Sequence, residues 1–166
     1  MKAILERCSI RKYTNQTIEK DKIQKILAAG FSAPSARDEE PWEVIVVENK
    51  KTLKDMSQLT PYAGMLANAP LGMVICSNTT HHLNVDYDLQ DCAALTQNML
   101  VEAKHLGIGS CWLGGYPNQD RLENIQKYFQ LPEHIQPLWM ISFGYPDETP
   151  APKNKWDESK IHWEKF

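Results

Sequence analysis

The sequence is first informative through what it does without. No apolar run approaches the roughly 20 residues a membrane helix needs, and the opening MKAILERCSIRKY has neither a long apolar centre nor a small-residue cleavage site. Cysteine is sparse: Cys8, Cys76, Cys92 and Cys111 stand far apart, with no CxxC pair and no metal-ligand spacing. That usage argues against a disulfide scaffold and for a reducing cytoplasm. The nucleotide fingerprints GxGxxG after a strand and GxxxxGK are missing, as are the hydrolase elbow GxSxG and the zinc signatures HxH and HExxH. The formal net charge is only -3, so no broad electrostatic attraction to nucleic acid or to an anionic membrane is expected. These absences remove several function classes and leave room for a site built from dispersed residues.

What remains is an ordinary globular composition. The 166 residues are 42% hydrophobic and 23% charged, enough for one domain, 1–166, with one real core. The first residues, through Glu6, read as a helical turn or two. Thr17 is placed to cap a helix carrying Ile18, Ile23, Ile26, Leu27 and Phe31 on one side, with Gly30 as its stop. Trp42 to Val47 is β-branched and reads as a strand. Residues 50 to 69 read as two helical pieces broken near Pro61, and 71 to 76 as a second strand. The longest helix carries Leu89, Cys92, Ala93, Thr96, Met99, Leu100 and Ala103 and ends near Gly107; with so little charge on it, it is either a central post or part of a subunit interface. Residues 109 to 113 and 138 to 143 read as strands around a helix that Asn118 caps. Alternating helices and strands predict an α+β fold, a three-layer α-β-α sandwich around a central mixed sheet. The tail from about 147 is polar and Pro-rich, yet it holds Trp156, Ile161, Trp163 and Phe166. Those side chains need a surface, either the parent domain or a partner subunit.

Four stretches carry chemistry. Between Arg7 and Lys12, three cations and the Ser9 hydroxyl fall within six positions. In an extended segment, Arg7, Ser9 and Arg11 share one side and Cys8 and Ile10 the other. Guanidinium forks and a short hydroxyl suit a phosphate, although such a cluster alone is more often a solvated turn. Ala33 to Trp42 holds Pro34, Ser35, Ala36 and Pro41 in a stiff loop. Gly107 to Gly115 runs a strand into two glycines, which leaves backbone N–H groups open to a flat heterocycle. Lys153 and Lys155 offer two more cations in the tail. A metal site at His81, His82, Asp86, Asp88 and Asp91 is the weaker reading of that acidic stretch, because adjacent histidines point apart in most conformations.

Taken in order, these stretches resemble the nitroreductase family of flavoenzymes over nearly the whole chain. The carriers are Arg7-x-Ser9-x-Arg11, then Pro34-Ser35-Ala36 through Glu40-Pro41-Trp42. They continue with Asp91, Ala93 or Ala94, Gln97 and Asn98 on the long helix, Gly107-x-Gly-Ser-Cys-Trp-x-Gly114, and Phe143-Gly-Tyr-Pro146. The resemblance implies a homodimer with two FMN sites at its interface. It implies that Arg7, Cys8, Ser9 and Arg11 hold the phosphate, ribityl chain and pyrimidine edge of FMN, with Arg11 near N1 and O2. Pro34, Ser35 and Ala36 would come from the other subunit. Leu113, Gly114 and Gly115 would lie along the ring, and Lys153 and Lys155 would reach the phosphate as the tail crosses the partner.

The implied activity is NAD(P)H-driven reduction of nitro compounds, quinones or similar small acceptors by a ping-pong route, with no catalytic side chain named. A non-catalytic flavin-binding or sensing protein, or a dehalogenase or ene-reductase on the same scaffold, is the alternative. The chain departs from the family in having Asp38 and Glu40 where Asn and Gln are frequent, which exchanges amides that can donate for carboxylates that only accept. Lys155 likewise stands where Arg is frequent.

Overall fold

The computed structural model describes residues 2–80 and 84–166. His81 and His82, part of the metal reading of that loop, lie outside the described residues. The elements are α1 (Lys2–Glu6), α2 (Lys20–Phe31), β1 (Trp42–Val47), α3 (Lys50–Met56), β2 (Leu71–Asn78), α4 (Val85–His105), β3 (Gly109–Gly114), α5 (Gln119–Phe129) and β4 (Ile135–Gly144), with short 3-10 turns at 36–38, 64–68 and 158–160. The strands form one sheet in the order β1-β2-β4-β3.

Alternation along the strands separates two apolar layers. Leu71, Met73 and Ile75 of β2 and Trp139, Ile141 and Phe143 of β4 face a cluster completed by Ile23 and Ile26 of α2 and Cys92, Leu95, Met99 and Ala103 of α4. Val74, Cys76, Cys111, Leu113 and Met140 face the opposite side, against Leu53 and Met56 of α3, Leu66 and Ile125 of α5. Helices therefore cover both faces, and the α+β sandwich is present. The expectation of a mixed sheet needs correcting: every ladder is antiparallel, and among the described residues the parallel pairing is an isolated bridge between Ser9 and Ser110. Helical connections do not dictate parallel strands when the chain returns along a neighbour in the opposite sense. Register shifts at Ile75/Cys76, which face Trp139 and Pro137 and leave Leu138 over as a bulge.

The long helix α4 is the central post. Its buried residues, from Asp88 through Ala103, recur every three or four positions. Two details of α2 differ from expectation. It begins at Lys20 after a Glu19 that makes no side-chain cap, so Thr17 caps nothing and Ile18 is buried ahead of the helix. Phe31, counted on the inner face, is 49% exposed. Gly30 lies within the helix rather than after it: a Cβ there would come within 2.6 Å of Met99 Cγ, so its missing side chain allows α2 to cross α4 closely. Asn84 and Asn118 cap α4 and α5 by accepting from Asp86 N–H and Arg121 N–H.

Candidate functional site

The basic segment near the amino end lies along the sheet edge beside β3. Ile10 N–H donates to the Ser110 carbonyl at 3.0 Å, and Ile10 packs under the segment with Tyr13 and Ala69. Gly109 makes this approach possible, since a Cβ there would sit 2.8 Å from Ile10 Cβ, Cγ1 and Cγ2. From the other side the start of the tail holds the segment. Thr14 N–H donates to the Tyr145 carbonyl at 2.9 Å and Asp147 N–H to the Lys12 carbonyl at 2.9 Å. Glu148 Oε1 accepts from the backbone N–H groups of Arg11 and Lys12. These bonds hold the Glu148 carboxyl below the usual carboxylate range, the Arg11 N–H contributing most.

Tyr13 ties the segment to the sheet from beneath. Its hydroxyl lies 2.6 Å from the Ile10 carbonyl, to which it donates, and 2.7 Å from Ser142 Oγ. Burial pushes its phenol far above the ordinary value, against a smaller pull from the Ser142 bond. The Cys8 thiol donates to the Pro150 carbonyl at 3.7 Å.

With the segment so fixed, Arg7, Cys8, Ser9 and Arg11 line a groove of about 870 Å³ whose opposite wall is formed by Pro150 to Trp156, Lys153 and Lys155 included. Four cations and one hydroxyl thus meet in one cavity, and among the described residues no carboxylate lines it. The Nε of Arg7 is buried and, among the described residues, has no hydrogen-bond partner. A buried donor left unpaired is costly, and an anion in the groove would satisfy it. The donor set fits the phosphate of FMN.

Arg11 also lines an adjoining cavity of about 540 Å³, together with Leu113 and Gly114 of β3. The sequence-based set therefore converges: Arg7, Cys8, Ser9, Lys153 and Lys155 on one cavity, Leu113 and Gly114 on the next, and Arg11 on both. Cys111 lies in the same wall. Burial pushes its thiol up, while the nearby Arg11 charge and a Ser9 hydrogen bond pull the other way.

Other expected residues stand apart. Gly115 does not line either cavity; its Cα abuts the Leu138 carbonyl, 2.5 Å from where a Cβ would be. Pro34, Ser35 and Ala36 line neither cavity of the single chain. Their polar groups hold their own loop: Ser35 Oγ accepts from Glu40 N–H at 3.1 Å, and Ala36 N–H donates to both oxygens of Asp91, each at 3.1 Å. Arg37, Asp38 and Glu40 adopt left-handed backbone, with φ of 54°, 60° and 47°, a conformation that side-chained residues take up at some cost. Asp38 and Glu40 are exposed on that loop. Of the acidic stretch, Asp91 is spent on Ala36 and Asp88 accepts from Ser77 Oγ. Among the described residues no cluster of His, Cys, Asp and Glu is placed to hold a metal.

Residues the sequence did not single out complete the second cavity: Pro61, Tyr62, Gly64 and Met65 from the turn after α3, and Arg121 from the first turn of α5. In the sequence Arg121 is one charge among many on an amphipathic helix. Its neighbour Gly114 lies on another element, so no local pattern marks it.

The sequence matches the nitroreductase family over residues 4–62 and 57–145. The chain belongs to that family. A Methanothermobacter thermautotrophicus protein with the provisional name NADH dehydrogenase/NAD(P)H nitroreductase is 39% identical over 166 residues, which cover 100% of this chain and 87% of that protein. A solved structure of an FMN-dependent nitroreductase from Clostridium difficile is 32% identical, covers 100% of both chains and superposes with a TM-score of 0.93. A Clostridium acetobutylicum structure, provisionally named an NADH oxidase, is 37% identical, covers 99% of both chains and reaches a TM-score of 0.96.

Proposed function

We propose that this family member holds FMN in the groove between the basic segment and the tail, and uses it as an NAD(P)H-dependent oxidoreductase toward nitro compounds, quinones or similar small acceptors. The observation that carries the reading is the carboxylate-free groove, where Arg7, Arg11, Lys153 and Lys155 converge around the unpaired buried Nε of Arg7. The FMN dependence named for the Clostridium difficile relative supports it. When bound, FMN supplies hydride acceptance from the nicotinamide and return of two electrons to the acceptor, which makes the kinetics ping-pong.

The residues do the rest. Arg7, Ser9, Lys153 and Lys155 neutralise and orient the phosphate, Lys155 as a point charge without the guanidinium fork. Arg11, common to both cavities, places a fixed positive charge where the groove meets the end of β3 and stabilises negative charge there. Leu113 and Gly114 offer a flat wall with no side chain at Gly114 to block approach. The chain works as one domain in a homodimer, with Pro34, Ser35 and Ala36 serving the partner's site. The tail from about 147 crosses onto that partner: in the single chain its Trp156 and Trp163 are 74% and 83% exposed and Phe166 is fully so, surface that a second subunit would cover. Four unpaired cysteines suit the cytoplasm, and among the described residues no helix is long and apolar enough to cross a membrane.

Reconstitution tests the reading. Protein mixed with FMN and desalted should stay yellow, bleach when NADH or NADPH is added without oxygen, and recover its colour on addition of menadione. Arg11→Ala should lose most of the retained flavin. Protein that stays colourless, or yellow protein that neither nicotinamide bleaches, overturns the proposal.

A further inference from the structure

The second cavity contains a cation that flavin binding does not call for. Arg121 projects from the first turn of α5, and its Nη1 donates to the Gly114 carbonyl at 3.2 Å. Its guanidinium carbon stands 5.0 Å from the centre of the Tyr62 ring, a cation–π distance that restrains the side chain while leaving donors free. Among the described residues it has no carboxylate partner within ion-pair distance. Trp112, Met65 and Pro61 give the same cavity flat, apolar walls, and Arg11 is its other cation; no carboxylate lines it. On a protein of net charge -3, two guanidiniums beside an aromatic surface form a local well for negative charge.

From this geometry we infer that Arg121, set by Tyr62 and the Gly114 carbonyl, is a specificity residue that recognises an anionic substituent on the small molecule entering this cavity. The inference rests on the proposed function for its redox setting, but not for the binding itself. The guanidinium fork accepts a carboxylate or phosphate in two parallel bonds, and the aromatic walls take the flat body that carries it. The anion can arrive on the electron acceptor or, as a 2′-phosphate, on the nicotinamide donor.

Two matched pairs separate these sources. 4-Nitrobenzoate and its methyl ester differ in the charge and one methyl group, as NADPH and NADH differ only in the 2′-phosphate. Binding is measured by quenching of tryptophan fluorescence, Trp112 being in the cavity wall, on wild type, Arg121→Gln and Arg121→Lys loaded with oxidised flavin, with NADP+ and NAD+ standing in for the two donors, which would reduce it. The acid should bind wild type about 10-fold more tightly than the ester, equal to about 1.4 kcal/mol. That ratio should collapse toward one in Arg121→Gln and survive in part in Arg121→Lys. Collapse of the NADP+/NAD+ ratio instead supports the same site with the donor as the source. If wild type shows neither preference, or if neither ratio moves by more than twofold in Arg121→Gln, the inference is overturned, whether or not the protein reduces menadione. If the protein proves unable to hold flavin yet keeps an Arg121-dependent preference for acids, the oxidoreductase reading fails and this one stands.

Discussion

Tyr13→Phe should weaken both the fold and flavin binding, in proportions the structure sets. The lost hydroxyl is buried and bonds the Ile10 carbonyl at 2.6 Å and Ser142 Oγ at 2.7 Å. Ser142 can turn its own hydroxyl to another acceptor, but the Ile10 carbonyl is fixed by the backbone. One unsatisfied buried acceptor costs about 1–3 kcal/mol. For a chain of this length each kcal/mol lowers Tm by about 2–4 °C, so flavin-free protein should melt roughly 2–12 °C earlier. Ile10 lies between Arg7 and Arg11, next to Arg11, so part of that cost falls on the segment that would grip the phosphate. If about 1.4 kcal/mol of it does, Kd for FMN rises about 10-fold. At an FMN concentration a thousand times the wild-type Kd, the stabilisation by ligand then drops from about 4.1 to about 2.7 kcal/mol. Melting curves with and without FMN read both effects. An unchanged Tm in the absence of FMN refutes the hydrogen-bond argument; a lower Tm with an undiminished FMN increment refutes the link from Tyr13 to the site.

Gly109→Ala should push against Ile10, whose branched Cβ cannot turn aside, costing about 1–3 kcal/mol and lowering FMN retention in equilibrium dialysis; pairing it with Ile10→Ala should restore part of the loss, and wild-type retention in the single variant would contradict the packing described. Stability should fall with rising pH from near 8.5, where unfolded thiols begin to ionise. Burial, with Glu43 adding to it, pushes the Cys76 thiol up to about 12, and burial chiefly, with Asp88 and Asp91 nearby, pushes Cys92 up as well. The folded state thus keeps protons the unfolded state loses, and each thiol steepens the decline by about 1.4 kcal/mol per pH unit; urea midpoints level to pH 10 would count against it. Asp91→Asn should not destabilise the protein at pH 7. Burial raises the Asp91 pKa more than the Ala36 N–H lowers it, so ionisation costs stability as pH rises through the acid range, and Asn keeps an acceptor for Ala36. A lower urea midpoint for the variant at pH 7 than at pH 4, relative to wild type, would reverse that sign.

The fold was legible wherever its cause was local. Helical spacing marked α4 and α5, β-branched runs marked β1 and β2, and Asn118 announced its cap. It was misread where the cause was tertiary. Ile18 is buried from an extended lead, so it looked like one more position on a helical face. Gly30 looked like a stop because the residue it makes room for, Met99, lies on another helix. The sense of strand pairing is not carried by the strands themselves, hence the mixed sheet expected and the antiparallel one found. At the site, Arg7 to Arg11 was visible because its charges are adjacent in sequence. Lys153 and Lys155 were a weak signal by themselves, two cations far down the tail, and took on a role through the family resemblance. Tyr62 and Arg121 were invisible because neither carries a pattern of its own; each acquires its meaning from the Gly114 carbonyl and from the other.

The clasp between Glu148 and the backbone of Arg11 and Lys12 joins positions 137 and 136 residues apart in sequence. As the polypeptide emerges from the ribosome, all four strands are already made before either half of that junction has its counterpart. The compartment between the two ends is therefore the last to exist in each round of synthesis, and prosthetic-group loading belongs after translation.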